Sequence, residues 1–234
     1  MQSNSPLGTR QNAFVQGFKS RWGLDDRDIG TLASLCRQPT HVSRGTMLLP
    51  DVREKAILVL NGYCSSYKTL ASGRQVIFDF KLPGDVACLR NVLLGKSCQN
   101  LMVSTDAVIC LVPRNLINEA VEGSPALRTA FLDRLDDEFT HLTDRFSRLA
   151  RSNALERTAS LILNVWERLK RVGQTSNLAF PFPITQDDLA DALGLTPVHV
   201  NRTLRQLRTM NVVTVSVGLA VIHDLETLQV LARI

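Results

Sequence analysis

Residues 185–208 have the sequence TQDDLADALGLTPVHVNRTLRQLR, which predicts two short helices joined by a tight turn. Thr185 and Asp188 have the spacing of a capping box, in which each side chain accepts from the other residue's backbone N–H. Gly194 ends the first helix, and Thr196-Pro197 supplies an N-cap and a first-turn proline for the second. Helix, glycine turn and helix in this order predict a helix-turn-helix motif.

The second of these helices has one apolar and one polar side. Val200, Leu204 and Leu207 share a face at spacings of four and three. From Thr196 to Met210 the chain has three arginines and no acidic residue. In helix-turn-helix proteins the start of the second helix enters the major groove. The residues predicted to contact DNA are Thr185, Gln186, Thr196, Val198, His199, Asn201, Arg202 and Arg205.

Arg202 lies one turn into the second helix, and arginine is the commonest bidentate partner of guanine O6 and N7. We therefore predict a base contact, against the alternative of a solvated surface arginine. His199 is a candidate for a base or phosphate contact, and Arg205 and Arg208 for phosphate contacts or ordinary surface residues. Backbone N–H groups at helix N-termini favour phosphate, which adds three candidates: Thr185, Gln186 and Thr196.

The segments around this motif complete a C-terminal domain over residues 152–234. Residues 153–172 form a predicted helix with Ile162, Trp166 and Leu169 on its inner side. Residues 212–216 and 219–223 flank Gly218 and predict a small hairpin, the wing. Asp224 is a predicted N-cap for a last short helix.

A long amphipathic helix is predicted over residues 123–151, starting at Ser124-Pro125. Apolar residues recur along it every three or four positions, and its other face is charged. One small barrel is too short to cover such a stripe, so we predict dimerisation through it. The alternative is packing of the helix on its own barrel. The predicted dimer interface consists of Leu127, Phe131, Leu135, Phe139, Leu142, Phe146 and Leu149.

Upstream, short β-prone runs alternate with turn signals such as Asn61-Gly62 and Pro83-Gly84. This pattern predicts a barrel or jelly-roll domain over residues 21–122, which begins with a short helix over residues 21–36. Residues 1–20 are predicted to be a flexible arm, because the segment starts polar and has no apolar core of a secretory signal. The predicted strands lie at residues 56–60, 63–70, 75–80, 101–104 and 108–112.

The chain has 234 residues, a formal net charge of +5 and 44% hydrophobic residues, as expected of a cytoplasmic protein of one or two domains. It contains no run of 18 apolar residues, which excludes a membrane span. The five cysteines form no Cys-x-x-Cys pair, and their odd number argues against a disulfide framework. We predict small buried thiols, with a thiol sensor as the alternative.

Two other classes of function compete with a DNA-binding regulator. An enzyme is not predicted, because the sequence has no glycine-rich phosphate loop, no Ser/His/Asp spacing and no metal-ligand set. A ligand-binding signalling module without a DNA role is opposed by the acid-free, arginine-bearing face of residues 196–210. The expected partners are double-stranded DNA, a second copy of the chain and RNA polymerase, with no membrane.

Taken together, these motifs resemble the superfamily of the cyclic-AMP receptor protein and the fumarate–nitrate reductase regulator. The resemblance rests on Gly45, Leu60–Gly62, Pro83–Asp85, the long helix, and residues 185–202. It implies an α+β fold: an N-terminal β-roll of the cyclic-nucleotide-binding type, a dimerisation helix and a C-terminal winged helix-turn-helix. The effector pocket that it implies consists of Gly84, Asp85, Val86, Ser97 and Cys98.

The departures from this family define further expectations. Cyclic-nucleotide binders have a Gly-Glu-Leu turn and a phosphate-binding arginine, where this chain has Gly84-Asp85-Val86 and Ser97. Loss of the cation that pairs with a buried phosphate predicts weak or no cyclic-AMP binding, although a cyclic-nucleotide-responsive member remains an alternative. No cysteine precedes Cys36, so no iron–sulfur cluster is expected. The four histidines form no metal-spaced set, so no other cofactor is expected either. Val198 and His199 replace a glutamate of the recognition helix, which predicts a different operator.

Overall fold

The computed structural model describes residues 6–48, 54–95 and 100–233, with side chains from residue 13 onward. Its described residues fall into two compact units. The first holds the residues up to Tyr67, Phe80–Phe139 and Arg171–Gly173, and the second holds Lys68–Asp79, Thr140–Lys170 and the residues from Gln174 onward. The predicted boundaries at residues 122 and 151 differ from this division, because the long helix contributes to both units.

The N-terminal elements follow the predicted order, with additions at the start and between the strands. In chain order they are α1 (Pro6–Lys19), α2 (Asp26–Leu35), β1 (Pro39–Val42), β2 (Met47–Leu48), β3 (Lys55–Asn61), β4 (Cys64–Thr69), β5 (Gln75–Lys81), β6 (Val86–Ala87), α3 (Leu89–Leu94), β7 (Asn100–Val103), β8 (Ala107–Pro113), α4 (Arg114–Gly123) and α5 (Pro125–Arg151).

Two four-stranded antiparallel sheets confirm the predicted β-roll. Their strand orders are β1-β8-β3-β6 and β2-β7-β4-β5. The central residues of strand β3 are all buried. Since alternate side chains point to opposite sides of a sheet, both faces of this strand are covered. Ile57 and Val59 belong to a core cluster shared with Leu101 and Val103 of the other sheet, while Leu58 belongs to a second cluster that includes helical residues.

The N-terminal helix corrects the prediction of a flexible arm over residues 1–20. Phe14 and Phe18 of α1 are fully buried, and the Phe18 ring lies 5.2 Å from the rings of both Trp22 and Phe131. The Arg134 guanidinium stacks over Phe18 at 5.1 Å, and the indole Nε1 of Trp22 donates to Asp133 at 2.7 Å. Two aromatic rings in a polar segment thus dock α1 against α5.

The cysteine prediction holds for three of the four described positions. Cys36, Cys64 and Cys110 are buried thiols outside any disulfide, and burial raises the pKa of Cys64 to about 12. Cys88, by contrast, is disulfide-bonded, so the prediction of reduced thiols is wrong there. An odd number of cysteines excludes complete pairing but allows a single disulfide.

The C-terminal elements are α6 (Ala154–Arg171), β9 (Ala179–Phe182), α7 (Gln186–Leu193), α8 (Pro197–Thr209), β10 (Val213–Ser216), β11 (Gly218–Ile222) and α9 (Leu225–Ala232). They confirm the predicted winged helix-turn-helix. Strand β9 is an addition to the predicted elements. It lies at the edge of the sheet β10-β11-β9, a position where Pro181 is tolerated. None of the described helices is long and apolar enough to cross a membrane.

The aromatic contacts of α1 generate a first prediction. Phe18→Ala should lower the free energy of unfolding by about 3–5 kcal/mol, because it removes a fully buried ring and leaves a cavity. Chemical denaturation measures this loss. Leu94→Ala, at an exposed position, is the control and should cost less than about 0.5 kcal/mol. Equal stability of the two variants would show that α1 is the flexible arm that the sequence indicates.

Candidate DNA interface and dimer face

The first helix of the motif begins at the predicted capping box. The backbone N–H of Asp188 donates to Thr185 Oγ1 at 3.1 Å, and the backbone N–H of Thr185 donates to Asp188 Oδ2 at 3.2 Å. The Thr185 hydroxyl donates to the same carboxylate at 2.7 Å. The hydroxyl of Thr185 and the backbone N–H by which it was predicted to bind phosphate are therefore both engaged inside the cap.

Gly194 and Thr196 define the turn between α7 and α8. Gly194 adopts φ 64°, a left-handed conformation that favours glycine, and its N–H donates to the Ala190 carbonyl. The N–H of His199 donates to Thr196 Oγ1 at 3.3 Å, so Thr196 is the N-cap of α8 and Pro197 occupies its first turn. The Thr196 hydroxyl, at the N-terminus of α8, is the predicted donor to phosphate.

Helix α8 has the predicted two sides. Val200 and Leu207 are buried, and Thr203 is buried with its hydroxyl donating to the His199 carbonyl at 2.9 Å. Leu204 is only half-buried, which differs from its predicted place in the core. Val198 is 79% exposed. The other predicted contact residues of this helix are also exposed: His199, Asn201, Arg202 and Arg205.

One contact joins the starts of the two helices. The Asn201 amide donates to Gln186 Oε1 at 3.3 Å, so both predicted DNA-contact residues lie on one surface. Arg202, Arg205 and Arg208 give the exposed face of α8 a positive charge. Residues 212–222 of the wing contain no charged side chain, and Val217 at its tip is fully exposed. The cationic groups of the motif are therefore concentrated on α8.

Helix α5 divides the predicted dimer interface into two parts. Leu127 and Phe131 are fully buried in the core of the first unit, so the prediction that they face a partner subunit is wrong. Leu135 is partly buried against that core. Phe139 and Phe146 are 67% and 74% exposed. Leu132, Leu142 and Leu149 are exposed as well.

The predicted effector turn lies within the chain's own packing. Arg134 Nη2 donates to the Gly84 carbonyl at 3.0 Å, and Arg134 Nη1 lies 3.7 Å from Asp85 Oδ1. The Leu82 N–H donates to Asp85 Oδ2 at 2.7 Å, and Val86 belongs to the same core cluster as Phe131. These three residues are thus brought together by internal contacts. Ser97 and Cys98 lie outside the described residues.

Periodicity alone missed two arginines of α5. Arg145 and Arg148 belong to its charged face, where the pattern predicts solvent exposure, yet both donate to backbone carbonyls of the C-terminal domain. No sequence signal marks such contacts, because carbonyl acceptors are present at every residue.

Comparison with known proteins finds a matching domain family and several similar regulators. Residues 156–231 match the Crp-like helix-turn-helix domain family. The chain is 27% identical over 197 residues to the nitrogen fixation regulation protein FixK of Bradyrhizobium diazoefficiens, covering 83% of this chain and 81% of that protein. It is 23% identical over 207 residues to the anaerobic regulatory protein of Haemophilus influenzae, covering 88% and 80%. The structure of FixK2 from Bradyrhizobium japonicum matches with a TM-score of 0.73 and 25% identity, covering 84% of this chain and 98% of that one.

The fold, the exposed recognition helix and these relatives define a DNA-binding transcription regulator with a winged helix-turn-helix domain. These findings support the CRP/FNR superfamily, which is the family that the motifs of the sequence resemble. The relatives named above are regulatory proteins.

The capping box generates a second prediction. Thr185→Ala should lower the free energy of unfolding by about 1 kcal/mol, since the first turn of α7 loses its side-chain acceptor. Thr185→Ser keeps an oxygen in the same place and should retain most of that stability. Thermal and chemical denaturation of both variants provide the measurement. Indistinguishable Ala and Ser variants would contradict a stabilising cap.

Proposed function

We propose that the protein regulates transcription as a homodimer on an inverted-repeat operator, with α8 of each subunit in the major groove. The observation that carries the proposal is the exposed apolar stripe of α5 together with the exposed polar face of α8 in the same chain. A two-fold axis would present two copies of α8 to the same side of the DNA.

The stripe has the spacing of a helix pair. Leu135, Phe139, Leu142, Phe146 and Leu149 alternate in steps of four and three, which is the pattern of positions that meet in a coiled coil. Exposed phenylalanine at two positions one heptad apart is costly in water, and a second copy of α5 would remove both rings from solvent. A parallel pair with matching rows satisfies this geometry.

Sequence readout would come from the first two turns of α8. Arg202 is exposed and would contact a guanine edge, and the exposed Val198 would contact the methyl group of thymine. Because neither Val198 nor His199 has a carboxylate, these positions offer no acceptor to cytosine N4. Arg205 and Thr196 would bind phosphates, which fix the position of the helix but carry no base information.

The proposal extends to the other expected partners and to the sensor. A regulator bound to DNA in the cytoplasm would act on RNA polymerase as its second macromolecular partner. Cyclic AMP is not the proposed effector, because the turn Gly84–Val86 is occupied by internal contacts with Arg134 and the core. The predicted substitution of the phosphate-binding arginine by Ser97 supports the same conclusion.

The third prediction contrasts two arginines on one helix. Arg202→Ala should cost about 1–3 kcal/mol per half-site and relax the preference at one base pair. Arg205→Ala should weaken binding to all sequences alike and flatten its salt dependence, since a lost phosphate contact releases fewer counterions. The measurement is binding of both variants to a selected operator and its single-base variants at two salt concentrations.

Each variant serves as the control for the other, because both remove one exposed arginine from α8. Base discrimination lost in Arg205→Ala and kept in Arg202→Ala would mean that the helix is rotated from the proposed register. Unchanged binding by both variants would remove α8 from the groove, and the proposed function would fail.

The fourth prediction concerns assembly. Phe139→Asp should raise the dimer dissociation constant about a hundredfold or more, because it places an unpaired charge in an apolar seam. Analytical ultracentrifugation measures the change. Val230→Asp puts the same charge on an exposed apolar position of α9 and should leave the dimer intact. A wild-type species of 26.0 kDa at micromolar concentration would contradict the proposed dimer.

A further inference from the structure

Two arginines, one turn apart on α5, contact the ends of two helices in the DNA-binding domain. Arg145 Nη2 donates to the carbonyl of Ala192 at 2.7 Å. Arg148 Nη1 donates to the carbonyl of Ala232. Ala192 lies in the last turn of α7, and Ala232 is the last residue of α9. All four residues belong to the same compact unit.

Helix C-termini are suited to such contacts. The last four carbonyls of a helix have no intrahelical donor, and the dipole makes this end partly negative. A guanidinium satisfies both needs, because it is a permanent cation with several N–H donors in a fixed plane. A contact to one helix would hold the domain at a point about which it can turn. Contacts to both α7 and α9 also restrict its rotation about α5.

The Arg145 guanidinium has further partners that hold it in place. It donates to the carbonyl of Ile77 at 3.2 Å and to that of Phe78, both in β5. Burial lowers the pKa of Arg145, an effect that the nearby carboxylate of Asp79 opposes. Asp79 also accepts from Arg168 of α6 at 3.1 Å. The arginine is therefore fixed between β5 and α7 and is not a mobile surface group.

The position of α7 determines that of the recognition helix. Only the turn of residues 194–196 separates α7 from α8, and the Asn201–Gln186 contact joins their starts. The side chain of Leu149 lies beside Gly194 in this turn, with its Cδ2 atom 3.6 Å from the site of a Cβ atom there. Helix α5 thus carries the proposed dimer seam and also holds α7 and α8.

We propose that Arg145 and Arg148 set the separation and orientation of the two recognition helices, and thereby the half-site spacing that the dimer accepts. This inference rests on the proposed function, because spacing has meaning only for a dimer on two half-sites. One added base pair moves a half-site by about 3.4 Å and rotates it by about 34°. A domain held at two helix ends resists this displacement, whereas a domain held only by the chain between α5 and α6 follows it.

The test measures spacing preference separately from affinity. A set of operators keeps both half-sites and varies the spacer by one and two base pairs in each direction. Wild-type protein should bind the best spacer about tenfold or more tightly than its neighbours, comparable to the cost of a mismatch in the site. The double variant Arg145→Gln, Arg148→Gln should reduce this ratio to about threefold or less, with unchanged base preference within a half-site.

Arg151→Gln is the matched control, since it removes the same charge from an exposed position of the same helix. It should keep the wild-type ratio. A double variant that keeps the wild-type ratio overturns the inference. If the double variant does not fold, Arg148→Gln alone decides the question, and an unchanged ratio again overturns it. A wild-type protein without any spacing preference contradicts the proposed dimer on an inverted repeat, which is a different result.

Discussion

The apolar side chains of α5 change midway along the helix from buried to exposed, and the rest of the molecule depends on that change. Leu127 and Phe131 near its start are fully enclosed by the chain's own core, whereas Phe139 and Phe146 further along are open to solvent. Among the described residues, a core cluster encloses the first turns of this 27-residue helix and does not include its later ones. An apolar row that the subunit leaves uncovered is a strong drive for association.

The same helix contributes side chains to the aromatic cluster of the first unit and, separately, to contacts with helix ends in the second. Near its start, Arg134 stacks on Phe18 and binds the Gly84 carbonyl. Near its end, Arg145 and Arg148 bind carbonyls of α7 and α9. Arginine suits all of these contacts, because its planar, weakly hydrated cation combines stacking with several hydrogen bonds. A helix with such contacts can position elements that lie far apart in the chain.

The DNA interface is mostly a local structure. The capping box, the glycine turn and the Thr196-Pro197 start involve residues within a few positions of one another, so they were predictable from spacing and side-chain chemistry. The exposed side of α8 followed from its periodicity, with the exception that Thr203 rather than Leu204 is buried. The role of Thr185 differs from the predicted phosphate contact, because its hydroxyl and N–H are both engaged by Asp188.

The sequence by itself determined the order of the modules, five strands of the β-roll and the helix-turn-helix, because each is marked by periodicity, caps and turn residues that act locally. Tertiary structure alone decided which part of the α5 stripe is covered and whether residues 6–19 form a docked helix. It also decided which backbone carbonyls accept hydrogen bonds from Arg145 and Arg148. Periodicity reports that a side chain is apolar and on which face it lies, but not what lies opposite. That partner comes from residues far along the chain, and a carbonyl acceptor at the end of a distant helix has no signature in the sequence.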